Sequence, residues 1–142
     1  MPRMIFVNLP VAELARSRRF YEALGTTNEP KFTDETAAAM MLSDAIGIML
    51  LTHDKFRQFT PKSIPDAAAT CQVINAISVD SRDEVDAVIE KAGAAGGRVD
   101  AAPPQDHGVM YARSVEDPDG HVWEVMWMDA AAAEQGASAI GA

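Results

Sequence analysis

The sequence predicts an α+β fold made of two βαβββ modules. Three observations carry this reading: a strand, helix and three-strand order that occurs twice, helix start and stop signals at matching places in each copy, and tight-turn residues between the strands that follow. The 142 residues suit one domain with a sizeable core. Residues 1–129 read as that single domain, with modules at about 4–52 and 72–128, an extended linker at 53–71 and a flexible or weakly helical tail at 130–142.

In the first module, "MIFVNL" (residues 4–9) is a short apolar run of strand type. Pro10 follows where a helix can begin, because the N–H it lacks would be unpaired there anyway. The stretch "VAELARSRRFYEALG" places Val11, Leu14, Tyr21 and Leu24 along one helical face, and Gly25 ends it. Strands are then expected at about 28–32, 36–42 and 46–52, with "LSDAIG" turning between the last two.

The second module opens with the strand "VINAISV". "SRDE" is a capping box, in which the Ser81 hydroxyl and the Glu84 carboxylate each accept a backbone N–H at the helix start. Val85, Val88, Ile89 and Ala92 make the buried stripe of that helix, and "GAAGG" stops it. Strands near 97–101, 109–114 and 122–128 complete the copy, the last introduced by the tight turn "DPDG".

Composition narrows the function classes. Hydrophobic content of 48% and charged content of 23% are ordinary for a globular chain. The net charge of −9 leaves no basic stripe to neutralise phosphates, so nucleic acid is not an expected partner. Arg16, Arg18 and Arg19 read as the solvated face of the first helix. The single cysteine, Cys71, excludes an intrachain disulfide and a cysteine-based zinc cluster, and reads as a small half-buried residue. No apolar run approaches the roughly 18 residues of a membrane span, so a cytoplasmic protein without a membrane partner is expected.

With "VNLPVAELARSRRFYEALG" opening the first copy and "DPDGHVWEV" closing the second, residues 4–128 resemble the vicinal oxygen chelate superfamily. It includes glyoxalase I, extradiol dioxygenases and bleomycin- and fosfomycin-resistance proteins. "FTDETAA", "IMLLTHDKF" and "PQDHGVMY" look like a subgroup named predicted lactoylglutathione lyases. The resemblance implies that the modules form a curled mixed sheet around a shared cup, and that the chain pairs as a homodimer. It also implies, in metal-using members, one ligand on the first and one on the last strand of each module, usually two His and two Glu. An ion so held keeps open positions for two adjacent substrate oxygens and stabilises an enediolate.

Carried onto this chain, those four positions fall on Phe6, Leu50 (Leu51 if the register slips by one), Ile74 and Glu124. Only Glu124 can ligate, and one carboxylate does not hold a transition metal against water, so no cofactor and no divalent metal is expected. A relocated site drawn from His53, His107, His121 and Glu124 is the alternative; His121 and Glu124, three residues apart, face opposite sides of a strand.

Strand alternation puts Val122, Glu124 and Met126 on one face and Trp123, Val125 and Trp127 on the other. The resemblance turns the Glu124 face into the cup, with Phe6 and Asn8, Ile48, Leu50 and Thr52, and Ile74, Ala76 and Ser78, while the Trp face packs as core. The expected ligand contacts are therefore Phe6, Asn8, Leu50, Ile74, Ser78, His107, Tyr111 and Glu124, with Met40, Met41, Met49, Met110, Met126 and Met128 filling core and pocket walls. Several roles are open to Glu124: catalytic acid or base, contact to a cationic ligand, a pair with His107, Tyr111 or Arg113, or a structural hydrogen bond to Asn8 or Tyr111. His107 and Tyr111 are either a proton-donor pair at the rim or an exposed loop residue and a packed ring.

Three functions follow. One is metal-independent binding of a small molecule, which the acidic balance suits if the ligand is a cation. The second is a glyoxalase-like lyase or isomerase, using a relocated metal or Glu124. The third is a non-catalytic assembly module with a filled cup.

Overall fold

A computed structural model, which describes residues 2–140, is mixed α and β, with one mixed sheet in each of two compact units, Met1–Thr70 and Cys71–Ala142. The first unit runs β1 (Ile5–Val11), α1 (Leu14–Leu24), β2 (Thr27–Glu29), β3 (Ala37–Met41), β4 (Ile46–Thr52) and α2 (His53–Arg57), in sheet order β1-β4-β3-β2. β1 lies parallel to β4, and the other neighbours are antiparallel. α1 packs on β3 and β4. Phe20, Tyr21 and Leu24 from the helix and Ala38, Met40, Ile48 and Leu50 from the strands are all buried. The Phe20 and Tyr21 rings meet edge to face at 4.9 Å, a favoured aromatic geometry.

Three local expectations change here. Pro10 does not start a helix; it continues β1, paired with Leu51, and α1 begins at Leu14. β1 is an edge strand, where a missing N–H can face away from the partner without cost. The strand expected to reach Phe32 ends at Glu29, because Pro30 cannot donate to the ladder and begins a 3-10 turn, Pro30–Phe32. The chain after β4 is not extended from its start: the Thr52 hydroxyl accepts the Lys55 N–H at 3.2 Å and caps α2.

The second unit runs β5 (Ile74–Ser78), α3 (Arg82–Ala94), β6 (Arg98–Val99), β7 (Gln105–Asp106), β8 (Met110–Glu116), β9 (Val122–Met128) and α4 (Ala130–Gln135), in sheet order β5-β9-β8-β6 with β7 also on β8. The capping box forms, with Ser81 Oγ accepting the Glu84 N–H and Glu84 Oε2 accepting the Asp80 N–H, both at 3.1 Å. Val85, Ile89 and Ala92 are buried under α3, together with Val115, Trp123 and Val125 from the sheet. Trp127 is only half-buried, and Cys71 is exposed rather than half-buried.

The turn before β9 is tied by Asp117, whose Oδ1 accepts the N–H groups of Asp119 and His121 at 2.9 Å each. Gly120 closes it at φ +103°, a left-handed conformation natural to glycine. The tail forms α4, capped by Asp129 and burying Ala132, then a 3-10 turn over Gly136–Ile140; residues 141–142 lie outside the described residues. Among the described residues no helix is long and apolar enough to cross a membrane.

Candidate functional site

The register of β4 decides what the first sheet presents on the side away from α1. Phe6 pairs with Gly47, Asn8 with Met49 and Pro10 with Leu51, and paired residues share a face. Leu50, expected beside Phe6, is instead paired with Leu9 and Ala38 and fully buried on the α1 side with Ile48. The near-continuous apolar run "IGIMLL" carries no alternation to fix its phase, and a one-residue shift moves every side chain to the other face.

On the Phe6 face lies a concavity of about 370 Å³ within the first unit. Its walls are the side chains of Met4 and Phe6, Ala39 and Met41 of β3, Met49 of β4 and Phe32 of the 3-10 turn. Its polar groups are Glu29, Ser43 and Asp44. Gly47 makes room on this face: a Cβ there would stand 2.7 Å from the Phe6 ring and 3.0 Å from Met41 Sδ.

The turn that carries Phe32 is held by side chains. Asn28 Nδ2 donates to Thr33 Oγ1 at 2.9 Å and to the Ala39 carbonyl at 3.1 Å, while Thr33 Oγ1 donates to the Glu29 carbonyl at 2.8 Å. Glu29 Oε1 accepts the Lys31 N–H at 3.3 Å. Ser43 Oγ accepts the Ala45 and Ile46 N–H groups at 3.2 Å each, closing the β3–β4 turn. Asp44 makes no hydrogen bond or ion pair among the described residues. Phe6 is 46% and Phe32 69% exposed, so neither ring is spent on the core.

Of the expected contacts in this unit, Phe6 lines the concavity, and Asn8 shares its face without lining it, its Nδ2 reaching the Phe6 carbonyl at 3.4 Å. Sequence reading missed Glu29, Phe32 and Asp44. The signal available for Phe32 was Pro30, which ends the strand and turns the ring out of the alternation.

In the second unit Ile74, Ala76 and Ser78 of β5 and Val122, Glu124 and Met126 of β9 share one face, as expected. Ile74 and Ser78 are exposed and Glu124 is half-buried. The Glu124 carboxylate has no hydrogen bond or ion pair among the described residues. Tyr111 and Arg113 do not join it. They are paired with Trp127 and Val125 across the ladder and lie on the opposite face, toward α3, because β8 enters with Ala112 and Ser114 on the Glu124 side.

There they build a charged network. Tyr111 Oη donates to Asp86 Oδ1 at 2.7 Å, and Arg113 bridges Asp86 at 2.9 Å and Asp100 at 2.8 Å. The Tyr111 and Arg113 hydrogen bonds hold the Asp86 carboxyl below its usual range, and the bond to Asp86 pushes the Tyr111 hydroxyl up. Arg82 pairs with Asp106 at 2.6 Å and stacks 4.4 Å from the Tyr111 ring centroid; its hydrogen bonds hold Asp106 down at about 2. His107 is exposed in the loop beside it. Every charged side chain in this network has its partner, which is how a fold-holding cluster looks.

The ladders fix the register of the four metal positions. In β5 the residue two past Ile74 is Ala76, paired with Glu124; in β1 the residue two past Phe6 is Asn8, paired with Met49. Met49, not Leu50 or Leu51, is therefore the first-module counterpart of Glu124. Phe6 and Ile74 carry no donor and Met49 only a soft thioether, so this set does not fit a divalent ion that wants nitrogen and oxygen. Among the described residues no group of three or more His, Cys, Asp or Glu side chains is placed to hold a metal.

No functionally curated protein matches. Among solved structures, a hypothetical protein from S. aureus is 24% identical, with a TM-score of 0.74 over 89% of this chain and 94% of its own. A glyoxalase-related enzyme from Fulvimarina pelagi is 21% identical, with a TM-score of 0.73 over 89% of this chain and 88% of its own. The fosfomycin resistance protein FosX from Mesorhizobium loti is 16% identical, with a TM-score of 0.62 over 92% of this chain and 93% of its own. At these identities the likeness is one of fold. A family model matches residues 3–125, and the chain belongs to the Glyoxalase/Bleomycin resistance protein/Dioxygenase superfamily.

Proposed function

We propose that this chain is a small-molecule-binding member of its family, taking a positively charged ligand with an apolar body in the first-module concavity, without a divalent metal. The observation that carries the reading is the lining: thioether and phenyl walls with the Glu29 and Asp44 carboxylates among them. Apolar walls with a few placed polar groups are the usual make-up of a small-molecule site. The net charge of −9 draws cations toward it. The chain acts, in this reading, as a cytoplasmic homodimer.

Glu124 favours a second reading. A half-buried carboxylate with no partner among the described residues is available as an acid or base for a lyase or isomerase step.

Thermal unfolding of chelator-treated protein separates the two. A ligand at a hundred times its dissociation constant adds roughly 2.7 kcal/mol, a shift of several degrees. Cationic amphiphiles are expected to give such a shift without metal, while Ni²⁺, Zn²⁺, Mn²⁺, Fe²⁺ and Co²⁺ give none in wild type or Glu124→Gln. A metal-induced rise that disappears in Glu124→Gln overturns the metal-free reading and directs the work to lyase assays.

A further inference from the structure

Resting on the reading above, we infer that the cation taken by the concavity is a peralkylated onium group, such as a trimethylammonium, rather than a primary amine. The argument is an inventory of acceptors. A primary ammonium carries three N–H donors and loses free energy when they are desolvated without acceptors. The concavity has three polar side chains, and two of them already accept backbone N–H groups. Ser43 Oγ closes the β3–β4 turn by accepting two N–H groups, and Glu29 accepts the Lys31 N–H of the 3-10 turn. Asp44 is the carboxylate with no hydrogen bond or ion pair among the described residues. The Asp44 carboxylate balances one positive charge, while the phenyl and thioether walls around it offer an ammonium's other N–H groups no strong acceptor.

The rest of the wall matches what an onium group requires. Phe6 and Phe32 line the concavity with aromatic rings, whose faces carry the negative side of the quadrupole, and both rings are exposed where packing alone would bury them. Met4, Met41 and Met49 supply polarizable thioethers that adapt to methyl groups. An onium has no N–H to satisfy and is weakly hydrated, so it loses little on entering such a wall. The Asp44 charge then acts through space, with no demand on geometry.

The test is a titration followed by backbone amide chemical shifts of residues 29–49, using choline, ethanolamine and the neutral carbon isostere of choline, in which a tert-butyl group replaces the trimethylammonium. Choline is expected to bind about tenfold more tightly than either relative, in keeping with a desolvated cation–π contact. Phe32→Ala and Asp44→Asn, both at exposed turn positions, are each expected to remove most of that preference while leaving the spectrum folded. Ethanolamine equal to or better than choline overturns the onium inference and leaves cation binding in place. The carbon isostere equal to choline overturns the role of charge, and so the proposed cationic ligand as well. Shifts confined to residues outside the concavity, or no shifts with any of the three, overturn the site itself. Co-sedimentation with phosphatidylcholine vesicles assigns the onium to a lipid headgroup, and its absence alongside choline binding assigns it to a soluble molecule.

Discussion

The Phe6 ring occupies the space that a side chain at Gly47 would need: a Cβ there would lie 2.7 Å from Phe6 Cδ1 and 2.9 Å from Cε1. The two residues are ladder partners on adjacent strands, so the glycine sets the depth to which the ring sinks into the wall of the concavity. Gly47→Ala pushes the ring outward. Overpacking typically costs about 1–3 kcal/mol, but Phe6 is 46% exposed and free to swing, and alanine recovers roughly 0.5–1 kcal/mol of chain entropy. Stability is therefore expected to stay within about 1 kcal/mol of wild type while ligand affinity falls severalfold. Urea unfolding and ligand titration, run on the same variant, check the split; a stability loss of several kcal/mol with affinity intact would show that the ring belongs to the core instead.

Arg113→Met tests the second unit's network. The Arg113 side chain is 15% exposed and lies between Asp86 and Asp100, which are 46% and 31% exposed. Removing the cation leaves two carboxylates facing its place, and Asp100 stands at φ +53°, a backbone that few residues adopt unaided. Breaking a fully buried pair costs about 3–5 kcal/mol and an exposed one less than about 1 kcal/mol, so a loss of roughly 2 kcal/mol is expected in denaturant. A loss under about 0.5 kcal/mol would mean that the pair is solvated.

Acid lability should trace to the same face. The Asp106 carboxyl sits at about 2 beside Arg82, and Asp86 is held down by Tyr111 and Arg113. A carboxyl lowered in the folded state adds stability above its unfolded value near 3.9 and loses it as the pH falls through the folded one. Stability is expected to drop between about pH 4 and pH 2, and Asp106→Asn to flatten that limb while lowering the plateau at neutral pH. Unfolding curves across that range decide it; an unchanged limb in the variant would remove Asp106 as a source.

Much of this fold was legible because its signals are local. Ser81 and Glu84 announced the start of α3, and Asp117 with Gly120 announced the turn into β9, since each makes its defining hydrogen bonds within a few residues. The faces of β9 were legible from alternation, with Trp123 and Val125 buried and Glu124 on the other side. β4 was not, because "IGIMLL" is apolar at nearly every position and its phase is set by pairing with β1 and β3. The site was harder still. Glu29, Phe32 and Asp44 come from a strand end and two turns, and only tertiary structure gathers them. Tyr111 was misplaced because β8 takes its facing from β9 rather than from any pattern of its own.

Pro10 has a consequence for how the molecule meets copies of itself. β1 is the last strand of its sheet, and Met4, Ile5 and Phe6 at its start are 37%, 58% and 46% exposed, the kind of apolar stretch on which strand addition can begin. Proline is tolerated in a paired strand where the N–H it lacks would point away from its neighbour. An incoming strand can begin to zip along this sticky stretch but finds no donor at the tenth residue. The residue that a helix did not use thus withholds one donor from the border strand of its sheet.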